Sequence, residues 1–381
     1  MSLEDPRAYV RDVPSDAAPL HALARASLSA ATRLDADRAD DALRDAFADL
    51  LRNDGGDALA AALATAPDGA VYRQLWRAVA DAEARAAQGD VHATVFALPV
   101  VIVAARAGDD AAASNAAAAP ASITLPCVLA DTQLLQSILR EHGALAGNQT
   151  FGLANALVGG DALELARLPQ LLAAGGIQDA TLTKAALDLA PAPIEVSGDH
   201  ESVHLRFLVG VALSAPNADI TGARDNAKWG MPLARALGEA LAEPGVSVLA
   251  LPHAAQRLVP ALQTGRALQR EVSAQVFLSN ALRRMRGSTG EPAAVISAHR
   301  VAGTRCGGEL RLSLSSPFAP RDAEGFRCPL YAADRVADVV QMLENLLRDC
   351  RVADVRVLDG IHDDRDAATG VPLMFRADAL H

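Results

Sequence analysis

His200-Glu201-Ser202-Val203-His204 sets two imidazoles four positions apart around a glutamate. On a helix that spacing presents both His to one zinc ion while the carboxylate activates a metal-bound water. The chemistry needs the helix, because only there do positions i and i+4 share a face. Here Ser197-Gly198-Asp199 ahead of the motif is a turn, and Val203, Leu205, Phe207, Val209, Val211 and Leu213 behind it alternate with period two. His200 and His204 are therefore expected at a solvent-exposed hairpin tip, with metal binding as the alternative. No further His follows at the spacing of the longer zinc motif, and the next glutamate is Glu239.

A second group ends the last expected strand: Asp359-Gly360-Ile361-His362-Asp363-Asp364-Arg365-Asp366. His362, Asp363 and Asp364 offer one nitrogen and two carboxylate ligands to a divalent metal, and loops at strand ends commonly hold ligands. The plain reading is a solvated acidic turn. Cys306 follows His299 by seven residues, which could make a thiol and base pair, although the segment reads more simply as a turn between antiparallel strands. Gly159-Gly160-Asp161 and Gly175-Gly176 match neither a dinucleotide loop nor a phosphate loop and read as turns. Trp229, Phe326 and Tyr331 flank two proline-led helices and are read as core anchors, or as residues lining a partner groove.

These residues need elements to position them. Residues 16–90 have helical spacing throughout: Leu43, Phe47, Leu50 and Leu51 continue the pattern of Leu20, Leu23, Leu28 and Leu34, with breaks at Asn53–Gly56 and Pro67–Gly69. From residue 91 the pattern changes. Val95–Val103 is β-branched and apolar, Val246–Leu251 and Val352–Leu358 are short apolar strands, and Leu310, Leu312 and Leu314 alternate. The Ala/Ser/Asn/Pro stretch ending at Ser122 reads as a low-complexity loop. Helices are expected over 131–142, 232–243 and 333–349.

Residues 203–253 and 308–362 align approximately. Leu205-Arg206-Phe207 matches Leu310-Arg311-Leu312, Pro232-Leu233 matches Pro329-Leu330, and His253 and His362 each stand five positions after Val248 and Val357. A fainter copy starts at Val95. The fold class expected is α/β, or α+β: a helical region (1–90) followed by two or three related strand–loop–helix–strand units with mixed sheets, at 91–190, 191–290 and 291–381.

The chain of 381 residues carries 35 basic and 46 acidic side chains, a net charge of −11, and only 3% aromatics. Lys occurs only at Lys184 and Lys228, and the arginines are scattered rather than clustered. This disfavours nucleic-acid binding, which runs on clustered positive charge. No signal peptide is recognisable, and the longest apolar run, Val95–Ala105, contains Pro99 and is shorter than the ~20 residues of a membrane span. Cys127, Cys306, Cys328 and Cys350 form no CxxC pair, as expected of reduced cytoplasmic thiols. No cofactor is expected. The leading expectation is a non-enzymatic structural or assembly protein that binds protein partners or copies of itself. The alternative is a metal-dependent hydrolase using His362 and its acidic neighbours or, failing that, His200 and His204.

Overall fold

A computed structural model describes residues 17–53, 55–85, 92–106, 122–145, 150–163, 189–197, 200–214, 228–285, 291–301, 308–316, 319–331, 334–366 and 369–377. Among them the fold is mixed α/β, with an N-terminal helical region. Four helices, α1 (Ala18–Leu28), α2 (Arg33–Arg52), α3 (Gly56–Ala64) and α4 (Gly69–Arg85), precede the first strand. The helical spacing is interrupted once more than the sequence suggests, because Thr32 starts a new helix: its side chain accepts from the Asp35 amide and caps α2.

The remaining order is β1 (His92–Arg106), β2 (Ser122–Leu125), α5 (Thr132–Glu141), β3 (Thr150–Val158), a 3-10 turn at Gly160–Leu163, β4 (Ile194–Ser197) and β5 (Ser202–Ser214). There follow α6 (Gly230–Ala240), β6 (Val246–Pro252), β7 (Gln256–Arg257), α7 (Leu258–Met285), β8 (Ala293–Arg300), β9 (Gly308–Ser316), β10 (Ala319–Pro329), α8 (Val336–Asp349) and β11 (Asp354–His362). The chain divides into two compact units. One combines Thr32–Ala61 with Arg77–Gln269 and holds β1–β7; the other combines the chain up to Ala31, Ala62–Trp76 and the chain from Arg270 onward, and holds β8–β11.

In the β1–β7 unit the strand order is β3-β5-β1-β6, all neighbours antiparallel, with β7 pairing β1 beyond the end of β6. The alternation read in β5 is present, but both phases are buried. Leu208 and Ala212 join Phe96, Leu98, Val100 and Ile102 of β1 beneath Leu135 and Leu139 of α5 and Trp229, Leu233 and Leu237 of α6. Trp229 is thus a core anchor. On the opposite face a Cβ on Gly265 of α7 would stand 2.9 Å from Leu205 and 3.0 Å from Phe207, so the glycine lets the helix lie close on the sheet. Gly210, at the centre of the sheet, has no such latitude. A Cβ there would lie 2.5 Å from Phe96 Cζ and 2.6 Å from the Gly152 carbonyl oxygen. Gly210→Ala is expected to cost about 1–3 kcal/mol in urea unfolding; wild-type stability would show that this core yields to an added methyl.

The β8–β11 unit has strand order β10-β9-β8-β11, with β11 parallel to β8 and the other pairs antiparallel. Leu310, Leu312 and Leu314 of β9 and Ala294, Ile296 and Ala298 of β8 pack against Val336, Val339, Val340, Leu343 and Leu347 of α8 and against Ala274, Leu278 and Ala281 of α7. Phe326 stacks on Phe277 with ring centroids 5.4 Å apart.

The repeat read between 203–253 and 308–362 does not carry through to strand direction. β6 runs antiparallel to β1, whereas β11 runs parallel to β8. In the β8–β11 unit, β10 reverses the chain once more between β9 and α8. Residues 215–227, which would hold its counterpart, lie outside the described residues. So do the low-complexity stretch at 107–121, Cys306 and Gly175-Gly176.

Candidate functional site

β8, β9 and β11 turn their second face toward the segment that follows β11. The register places Ser297 opposite Arg311, His299 opposite Glu309, and His362 beside His299. One row of alternate positions is therefore Ser297, His299, Glu309, Arg311, Ser313 and Ser315, and all six are buried. After His362 the chain doubles back, with 364–366 facing 371–373 through amide bonds from Asp366 to the Val371 carbonyl and from Leu373 to the Asp364 carbonyl. It then lies back over this face.

Arg311 is the centre of the arrangement. Its side chain is 1% exposed, and its Nε donates to Glu309 at 2.6 Å. Its Nη1 donates to the carbonyls of Asp364 at 2.6 Å and Leu373 at 2.8 Å, and its Nη2 meets the Asp364 carboxylate. Arg327 of β10 donates to both Glu309 oxygens, at 2.9 and 3.1 Å. Two guanidinium groups thus face two carboxylates, which is the condition under which charge can be buried at all. Ser313 donates to the Phe375 carbonyl, and Arg356 Nη1 reaches the Ala377 carbonyl at 3.5 Å. Carbonyls 373, 375 and 377 are therefore all taken by side chains of the sheet.

His299 completes the network. Its Nδ1 lies 2.8 Å from the Asp363 carbonyl, which can only accept, so Nδ1 carries the proton. Nε2 then accepts from the Ser297 hydroxyl at 2.7 Å. Burial, with Arg311 and His362 adding to it, pushes the His299 imidazole down to about 4 against the opposing pull of the Asp363 carbonyl. Serine, imidazole and an orienting acceptor in line are the elements of an activated nucleophile. Ser297 is 2% exposed and His299 fully buried beneath the segment that follows β11, the strap, whose Asp363 carbonyl His299 ties to the sheet.

The sequence-level metal candidates lie as follows. The Asp364 carboxylate is committed to Arg311, the Asp363 side chain is exposed, and His362 packs against Phe375 with ring centroids 4.5 Å apart. His362 Nε2 is buried without a hydrogen-bond partner. His200 is exposed ahead of β5, while His204, inside β5, bonds Ser202 Oγ at 2.9 Å. Burial and the neighbouring Arg206 hold His204 below the usual imidazole range. The strands on either side do not form a hairpin with each other: β4 pairs with β2, and β5 with β1 and β3. A strand rise of about 3.3 Å per residue carries His204 away from His200, where a helix would stack them. Among the described residues no group of three or more His, Cys, Asp or Glu is placed to hold a metal ion.

A different feature stands out at the edges of the two larger sheets. β3 is flanked by Cys127–Leu129, with Leu157 N–H bonded to the Cys127 carbonyl at 2.9 Å and Leu129 N–H to Asn155 at 2.7 Å. β10 carries Glu324 and Arg327 and a register shift; β11 carries Asp354, Arg356 and Asp359 and a register shift near Gly360, where φ is +83°. Charges and bulges of this kind blunt a sheet edge. β6, Val246-Ser247-Val248-Leu249-Ala250-Leu251-Pro252, has neither: it is uncharged and in unbroken register with β1. Among the described residues no strand pairs its outer side. Leu249 is 55% and Leu251 37% exposed.

The phase of this edge follows from His253, whose N–H bonds the Pro99 carbonyl at 2.8 Å. Backbone groups of antiparallel strands alternate in direction. Ser247, Leu249 and Leu251 therefore bond β1, and the N–H and C=O of Val248 and Ala250 point off the sheet. Pro99, inside a central strand, loses little, because its missing donor falls where β6 ends. No protein-family model, curated protein or solved structure matches the chain.

Proposed function

We propose that the chain is a non-enzymatic structural or assembly protein that binds protein partners by strand addition along β6. The observation that carries this reading is an uncharged, regular, outward-bonding edge with two exposed leucines, in a fold whose other large-sheet edges are covered or charged. An added strand would gain backbone hydrogen bonds worth about 1 kcal/mol each, and Leu249 and Leu251 would supply apolar area and selectivity. The net charge of −11 without clustered arginines supports protein rather than nucleic-acid partners. Among the described residues no helix is long and apolar enough to cross a membrane.

The test is quantitative affinity capture from the native source, comparing wild type with Leu249→Lys/Leu251→Lys. A protein retained in stoichiometric amount by the wild type, the chain itself included, should be lost from the variant. An unchanged partner set overturns docking at β6. A stoichiometric divalent metal in the purified protein would instead favour the hydrolase alternative, for which the committed Asp364 carboxylate gives no support.

A further inference from the structure

Resting on that reading of β6, we infer that its occupant is the β6 strand of a second copy of this chain, paired antiparallel about a two-fold axis through Ala250. Backbone complementarity carries the first part of the argument. With Ala250 opposite its own counterpart, the two Ala250 residues exchange both bonds, and each Val248 N–H meets the Pro252 carbonyl of the other copy. Pro252 has no N–H, so the Val248 carbonyl of the other copy receives no bond from it, and the pairing makes four backbone bonds in all. The contact is isologous, the same surface on both subunits, which is the commonest arrangement of soluble oligomers.

Side chains carry the second part. The register sets Leu249 of each copy directly opposite Leu251 of the other, at non-hydrogen-bonded positions where side chains approach most closely. Both leucines lie on the sheet face turned away from α6, so one pairing covers all four. Charge carries the third. A chain of net charge −11 repels its own copy, and a contact between copies requires a surface free of that charge. β6 has no ionisable side chain with which to select a charged strand. The product is one continuous sheet, β3-β5-β1-β6 joined to its symmetry mate, with β7 beside β1 in each copy. The strand contact alone is smaller than the ~800 Å² per partner of a stable interface, so the dimer is expected to be reversible.

Sedimentation equilibrium over a concentration series tests this with two variants, Leu249→Lys/Leu251→Lys and Leu249→Glu/Leu251→Glu. Both substitutions fall on exposed positions, and far-ultraviolet circular dichroism confirms that the variants fold. Wild type should show a concentration-dependent dimer. Each variant alone sets like charges opposite one another and should weaken Kd by about tenfold or more. An equimolar mixture of the two should restore association as a mixed dimer, a result that general damage to the fold does not give. A wild type that stays monomeric to its solubility limit, or a mixture that does not associate, overturns the second-copy inference. If capture in that case still shows an edge-dependent partner, docking at β6 stands with another occupant; if it shows none, both readings fall.

Discussion

Arg311→Met lowers the stability of the β8–β11 unit by about 3–5 kcal/mol, the range for breaking a buried, hydrogen-bonded ion pair from one side. The substitution leaves the Glu309 carboxylate in the sheet interior with only the half-exposed Arg327, takes the Arg311 donor from the Leu373 carbonyl, and leaves the Asp364 carbonyl with the Leu373 N–H alone. Lysine is no substitute: an ammonium has three donors and no planar fork, so it cannot serve Glu309, Asp364 and Leu373 together. Glu309→Met/Arg311→Met should be less damaging than Arg311→Met alone. The charges it leaves, Asp364 and Arg327, are 28% and 49% exposed and can be rehydrated. Hydrogen exchange of β8 and β9 amides reads this unit directly. A loss below about 1 kcal/mol, the range of a surface pair, would mean that water already reaches the network.

The second large effect is on pH. Unfolded, His299 takes up a proton near its ordinary 6.5; folded, it does so only at about 4. Between these values the unfolded chain binds more protons, so stability falls as pH falls and levels off, for this group, below about 4. The full difference is about 3 kcal/mol. The groups facing the imidazole are the Ser297 hydroxyl, the Asp363 carbonyl, Arg311, Glu309 and His362, and none supplies a carboxylate in direct contact with the ring. His299→Gln keeps a neutral hydrogen-bonding side chain and removes the titration. Unfolding free energies of wild type and variant, measured from pH 7 to 4, should converge toward the acid end. Parallel profiles would sink the assignment to His299.

Local periodicity disclosed much of the fold. The period of two in β5 and β9 and the spacing of Val336, Val339, Val340, Leu343 and Leu347 in α8 each follow from a single strand or helix. Strand direction is not a local property, and the similarity of 203–253 to 308–362 conceals the opposite senses of β6 and β11. The buried network was legible only in part. His362, Asp363 and Asp364 drew notice for their chemistry, but Ser297, Glu309 and Arg311 stand on the polar phase of strands whose Leu and Ile phase packs on helices. That pattern ordinarily denotes a solvent-facing side. It is interior here because of a segment far along the chain, which no window of sequence around β8 or β9 contains. Val246–Leu251 could be read as a strand; its place at an edge depends on where β1 and β5 lie.

The strap also orders events in time. Arg311 precedes Asp364, its acceptor, by 53 residues. On a ribosome adding 5–20 residues per second, that interval is roughly 3–10 s. Throughout it, β8 and β9 exist without the carbonyls and carboxylate that compensate Arg311, so the nascent sheet cannot close on its charged side.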